Sequence, residues 1–136
     1  MVELIEDRMN LARELLQAAR DEFAQAEEVK GRLVLIGLRN ACGKGWLAAL
    51  EATNYYFLMQ GVPEEQLPDN DRGRKYFVGR HMNREMRVAF LEMRETFHIN
   101  GYYEGSVSFD EMSRYLDELE EYIDSIAAFA TNGATG

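Results

Sequence analysis

The chain has 136 residues, 46% of them hydrophobic and 29% charged, with a formal net charge of −9. That length fits one domain able to bury a core without staples, and the single cysteine, Cys42, excludes an internal disulfide. The acidic balance opposes tight nonspecific binding to nucleic acid, and the opening Met1 to Asp7 is too acidic for a signal peptide. The apolar run Leu33 to Leu38 stops at Arg39, short of the roughly 18 residues of a membrane span. The expectation is a soluble, cytoplasmic protein with no membrane association.

The first predicted helix runs from about Glu3 to Glu27. Ile5, Met9, Ala12, Leu16, Ala19, Phe23 and Ala26 recur every three or four residues and give one apolar stripe. The second, from about Val29 to Gln60, is apolar on most sides near Leu33 to Ile36 and Trp46 to Leu50. Such a helix is buried centrally or against a second chain. Gly61 followed by Pro63 ends it. Pro63 to Asp71 then forms the one long loop, with Asp69 or Asp71 placed to cap the next helix.

The third predicted helix spans about Asp71 to Asn100 as one element. At 100° per residue Met82, Met86, Ala89, Phe90, Met93 and Phe97 share one face, and Arg80, Arg84, Arg87, Arg94 and His98 gather opposite. Asn100-Gly101 reads as its stop. Ser108-Phe109-Asp110-Glu111 reads as a capping box opening a fourth helix, with Val107 and Met112 as its hydrophobic staple. Met112, Leu116, Leu119, Ile123, Ile126 and Ala130 continue that helix's stripe. Four helices with short connections predict an all-α, antiparallel four-helix bundle over 1–130, followed by a flexible tail at 131–136.

Chemistry-bearing patterns are few. Glu95-x-x-His98 has no second copy, so a di-iron site is not expected, and no metal or cofactor is implied. Cys42 reads as a small buried hydrophobe. From Arg72 to Arg94 the chain carries Arg72, Arg74, Lys75, Arg80, Arg84, Arg87 and Arg94 against only Glu85 and Glu92, a solvated face or an anion-binding one. Arg94 and His98, four residues apart, can meet on that face. A guanidinium fork holding a phosphodiester beside a histidine acting on a 2′-hydroxyl would be a metal-independent ribonuclease arrangement. The bland alternative pairs Arg94 with a nearby carboxylate and leaves His98 hydrogen-bonded at the helix end.

The segments Arg39-Asn40-Ala41-Cys42-Gly43-Lys44-Gly45-Trp46-Leu47-Ala48-Ala49-Leu50-Glu51-Ala52 and Phe97-His98-Ile99-Asn100-Gly101-Tyr102-Tyr103-Glu104-Gly105 resemble the second helix and the end of the third in small prokaryotic HEPN-like proteins. The resemblance implies an all-α bundle that forms a homodimer. It also implies either a metal-independent endoribonuclease of the toxin or defence type or a noncatalytic module that binds nucleotides or RNA or partners a nucleotidyltransferase. Arg94 and His98 fall where catalytic members carry their arginine and histidine. Only three residues intervene here where four to six are usual, and Glu95 stands where an asparagine, aspartate or histidine is usual. The expectation is therefore a noncatalytic, self-associating module using Arg80, Arg84, Arg87, Asn100 and Tyr102 toward an anionic ligand or partner, with ribonuclease and protein adaptor as alternatives.

Overall fold

The computed structural model describes residues 2–29 and 31–135, with side chains over 5–29 and 31–129. Among the described residues it is all-helical: α1 (Val2–Glu28), α2 (Arg32–Met59), α3 (Asp71–His81), α4 (Arg84–Met93), a π-helical segment (Arg94–Tyr103) and α5 (Met112–Thr135), with two short 3-10 turns and no strand. The α1 and α2 helices form an antiparallel hairpin with the most extensive contact in the molecule, and α5 packs across both. The predicted stripes are what they bury: Met9, Ala12, Leu16, Ala19, Phe23 and Ala26 from α1, and Met112, Leu116, Leu119, Ile123 and Ile126 from α5. The last stripe residue, Ala130, and the tail 131–136 have side chains outside the described residues, although the α5 backbone is helical through Thr135.

The α2 helix buries Leu38, Ala41, Cys42, Trp46, Ala48, Ala49, Ala52, Tyr55, Tyr56 and Phe57, and so contributes core to every neighbour. One face nonetheless stays in solvent, with Leu33 60%, Ile36 56% and Leu47 49% exposed. By length and composition α2 is also apolar enough to cross a membrane, a test that core helices pass too; 39% of the relevant window is buried inside the fold. At its C-terminus Gly61 takes φ 94°, the left-handed conformation that glycine adopts without strain.

The predicted third helix is not continuous. It breaks at Met82, whose backbone is extended (φ −104°, ψ 145°), and restarts with Asn83 accepting a 2.8 Å hydrogen bond from the Met86 amide. A side-chain cap satisfies an orphan donor at a new N-terminus and competes with helix continuation. The α3 helix is likewise capped by Asn70, which accepts from the Gly73 amide at 2.7 Å, rather than by Asp69 or Asp71. The aspartate is instead free to pair with Arg94.

Two further local expectations are corrected. Asn100-Gly101 does not stop the helix: the coil widens to π geometry from Arg94, runs to Tyr103, and turns at Gly105 with φ 63°. Gly101 is needed for close approach, since a Cβ there would lie 2.5 Å from Cys42 Sγ and 2.6 Å from Cys42 Cβ. The Ser108 capping box does not form either. The chain enters α5 through a 3-10 turn in which the Glu111 amide donates to the Ser108 carbonyl at 3.1 Å, and the Glu111 carboxylate pairs with Arg114 at 3.0 Å. The turn's own backbone acceptor replaces the serine hydroxyl.

Candidate functional site

The π-helical segment lies on α2 because both surfaces are cut back where they cross. Gly101 admits Cys42, and Gly45 admits Phe97, whose ring would sit 2.8 Å from a Cβ at position 45. Arg39 secures the far end of the segment: its Nε donates to the Tyr102 carbonyl at 2.9 Å and its Nη2 to the Tyr103 carbonyl at 2.5 Å. Those carbonyls are among the groups a helix C-terminus leaves without intrahelical donors. Helix interruptions of π type recur at functional sites, because the wider turn re-aims side chains.

Here it aims His98 at Trp46. The two rings stack with centroids 5.0 Å apart and planes 17° from parallel, and the Tyr103 ring packs tilted against the imidazole at 4.8 Å. Beside them opens a cleft of about 500 Å³ lined by Glu22, Asn40, Gly43, Lys44, Trp46, Leu47, His98 and Tyr102. Asn40, Gly43, Lys44 and Leu47 come from the face of α2 turned away from the core, one helical turn apart. Lys44 reaches across to Glu22 of α1 at 2.6 Å. The volume and the aromatic, sparsely polar lining match those of small-ligand sites.

His98 Nδ1 is buried and has no hydrogen-bond partner, the one such side-chain nitrogen or oxygen among the described residues. Burial, with the nearby Arg94 charge, holds the imidazole below its ordinary range, partly offset by Asp71. The lowered value favours the neutral ring at physiological pH.

Arg94 is not in that cleft. Its Nε and Nη2 hold the two Asp71 carboxylate oxygens at 2.7 and 2.8 Å, a bidentate pair that also draws Lys75 to 3.6 Å. The arginine beside it keeps the Asp71 carboxyl below the usual carboxylate range. This fork is the geometry that would otherwise receive a phosphate. Arg94 and His98 are thus brought near one another, but their donors point to different places.

The remaining sequence candidates are dispersed by the break at Met82. Arg80 is exposed at the end of α3 and lines a small hollow with Gln60, Phe77 and His81. Arg84 is exposed on the first turn of α4, and Arg87 donates to the Met82 carbonyl at 3.0 Å, closing the junction between the helices. Asn100 contributes its carbonyl to the Ser106 amide at 2.7 Å. Tyr102 alone of these joins His98 in the cleft. Cys42 is fully buried, and desolvation pushes its thiol up to about 12, which keeps it inert.

Trp46, Asn40, Lys44 and Tyr103 were not picked out as site residues from the sequence. The spacing 40, 43, 44, 47 was available as a signal, since it marks one α2 face. What faces it depends on a contact between residues more than fifty positions apart. No protein-family model matches the chain, and no curated protein or solved structure matches it.

Proposed function

We propose that the chain is a noncatalytic, HEPN-like four-helix bundle, counting α3, α4 and the π-helical segment as one bent element, that binds a nucleotide or an RNA base in the cleft between α2 and that segment. The observation that carries this reading is the cleft walled by the Trp46–His98 stack, with the Tyr102 ring half exposed at its edge. Nucleobases are recognised by aromatic faces plus a few edge-directed polar groups, and Tyr102, Asn40 and Lys44 supply those groups here. Each stacked base contributes on the order of 1–3 kcal/mol.

Trp46 is the only tryptophan, so its emission reports the site directly. Nucleoside monophosphates are expected to quench it saturably, and His98→Ala together with Tyr102→Ala to weaken binding at least tenfold. Unchanged emission across purine and pyrimidine nucleotides and short RNA would sink the proposal. The exposed strip Leu33, Ile36 and Leu47, continuous with Tyr102 and Tyr103, supports self-association as part of the same reading. Ile36→Glu would then halve the mass in solution.

The ribonuclease reading retains one supporting observation, a neutral His98 suited to act as a base. Cleavage of RNA in the presence of chelator, abolished by His98→Ala, would replace the noncatalytic reading. The filled fork of Arg94 counts against it.

A further inference from the structure

A second hollow, which shares no lining residue with the cleft at His98, lies between α4 and α5. It encloses about 310 Å³, at the lower end for small-ligand sites. Its floor is apolar and soft: Met86, Met93 and Ile126 are buried there, with Ala89 and Phe129 at the sides. Its rim carries Glu85 and Glu92 from α4 and Glu118 and Glu121 from α5, and no basic residue lines it.

Elsewhere in the fold several acidic side chains at helix contacts have counter-cations. Glu22 has Lys44, Asp71 has Arg94, Asp124 has Arg13, and Asp117 and Glu120 share Arg20. None of the four rim glutamates makes a side-chain hydrogen bond or ion pair among the described residues; Arg114 senses the charge of Glu118. The rim does not converge on a point either. Among the described residues no three acidic, histidine or cysteine side chains are grouped closely enough to hold a metal ion. Glu85 and Glu92 are two helical turns apart, about 10 Å along α4. Charge distributed at that spacing around an apolar floor complements an extended cation, not a compact one.

We propose that this hollow binds a linear aliphatic polyamine. Its methylene segments lie over Met86, Met93 and Ile126, and its ammonium groups face the glutamates of the two helices. Methionine surfaces adapt to unbranched chains, while ammonium–carboxylate contacts at a partly enclosed rim set the charge requirement. No group in the cleft at His98 takes part, so this site stands or falls independently of the nucleotide reading.

The test is calorimetric titration of the full chain with spermidine at physiological salt. Saturable binding of one molecule per chain is expected. Glu85→Gln with Glu92→Gln should weaken it about tenfold, the loss of two part-exposed ion pairs, whereas Glu27→Gln with Glu28→Gln on α1 should leave it unchanged. Ala89→Leu, which fills the hollow without altering charge, should abolish binding while circular dichroism shows an intact fold. Equal weakening by the α1 pair, equal binding of magnesium at matched charge, tighter binding of a lysine-rich peptide, or no effect of Ala89→Leu would each overturn the proposal.

Discussion

Replacing Gly101 by alanine tests the crossing that builds the cleft. Its Cβ would stand 2.5 Å from Cys42 Sγ, 2.6 Å from Cys42 Cβ and 3.0 Å from the Thr96 carbonyl oxygen. The two cysteine atoms belong to α2 and the carbonyl to the segment's own backbone, so the π-helical segment must lift off α2 and adjust its own turn. Overpacking of this kind costs about 1–3 kcal/mol, against a gain of up to about 1 kcal/mol from removing a helical glycine. The net expectation is a loss of about 1 kcal/mol, or a fall of about 4 °C in Tm at roughly 4 °C per kcal/mol. Gly79, mid-way along α3, is the control: nothing lies within 4 Å of a Cβ there, so Gly79→Ala should raise Tm by about 2–4 °C through propensity alone. Differential scanning calorimetry reads both, and the emission of Trp46 should shift to the red in Gly101→Ala as its stack with His98 loosens. Adding Cys42→Gly removes both clashing cysteine atoms, so the double variant should be at least about 1 kcal/mol more stable than the sum of the singles. A Gly101→Ala protein as stable as the parent, with Gly79→Ala behaving as expected, would refute the close-approach argument.

Three other outcomes follow from named contacts. His98 has a lowered folded-state pKa, chiefly from burial, so the unfolded chain binds the proton more readily below about pH 6.5. Stability is therefore expected to fall as pH drops from about 6.5 through the folded value, and NMR titration should show His98 protonating below that range; titration at or above it would contradict the buried Nδ1. Asp71 contributes in the same direction at lower pH: its carboxyl is depressed by Arg94, its stabilisation is present above about pH 4 and is lost on further acidification. Asp71→Asn should flatten that limb of a pH–denaturation series while costing about 1 kcal/mol or less at pH 7, because the pair is partly solvated. Finally, Tyr122 is buried and its hydroxyl shares a 2.7 Å hydrogen bond with Thr53, which itself donates to the Ala49 carbonyl at 2.7 Å. Tyr122→Phe should cost about 1 kcal/mol, and Thr53→Val more, about 1–3 kcal/mol, because it strands the buried phenol; the reverse order in urea denaturation would exclude this network.

The sequence by itself determined the helical character and the composition of the core. Met9, Ala12, Leu16, Ala19, Phe23 and Ala26 of the α1 stripe, Met112, Leu116, Leu119, Ile123 and Ile126 of the α5 stripe, and the face Met82, Met86, Phe90, Met93 and Phe97 are buried as their spacing requires, since helical periodicity alone decides which residues share a side. It determined the break at Gly61 for the same local reason: only a residue without Cβ takes that φ freely. It also contained the break at Asn83, as an asparagine followed by an acidic first turn, but the continuous apolar stripe across it masked the cap. The tertiary structure decided the rest. Whether Gly101 stops a helix or passes beneath one depends on Cys42, far away in the chain. Whether Arg94 is free for a ligand depends on Asp71, 23 residues earlier. The cleft itself exists only where α2 and the π-helical segment cross, because the partner of a ring or a guanidinium is set by packing between elements, which no local spacing records.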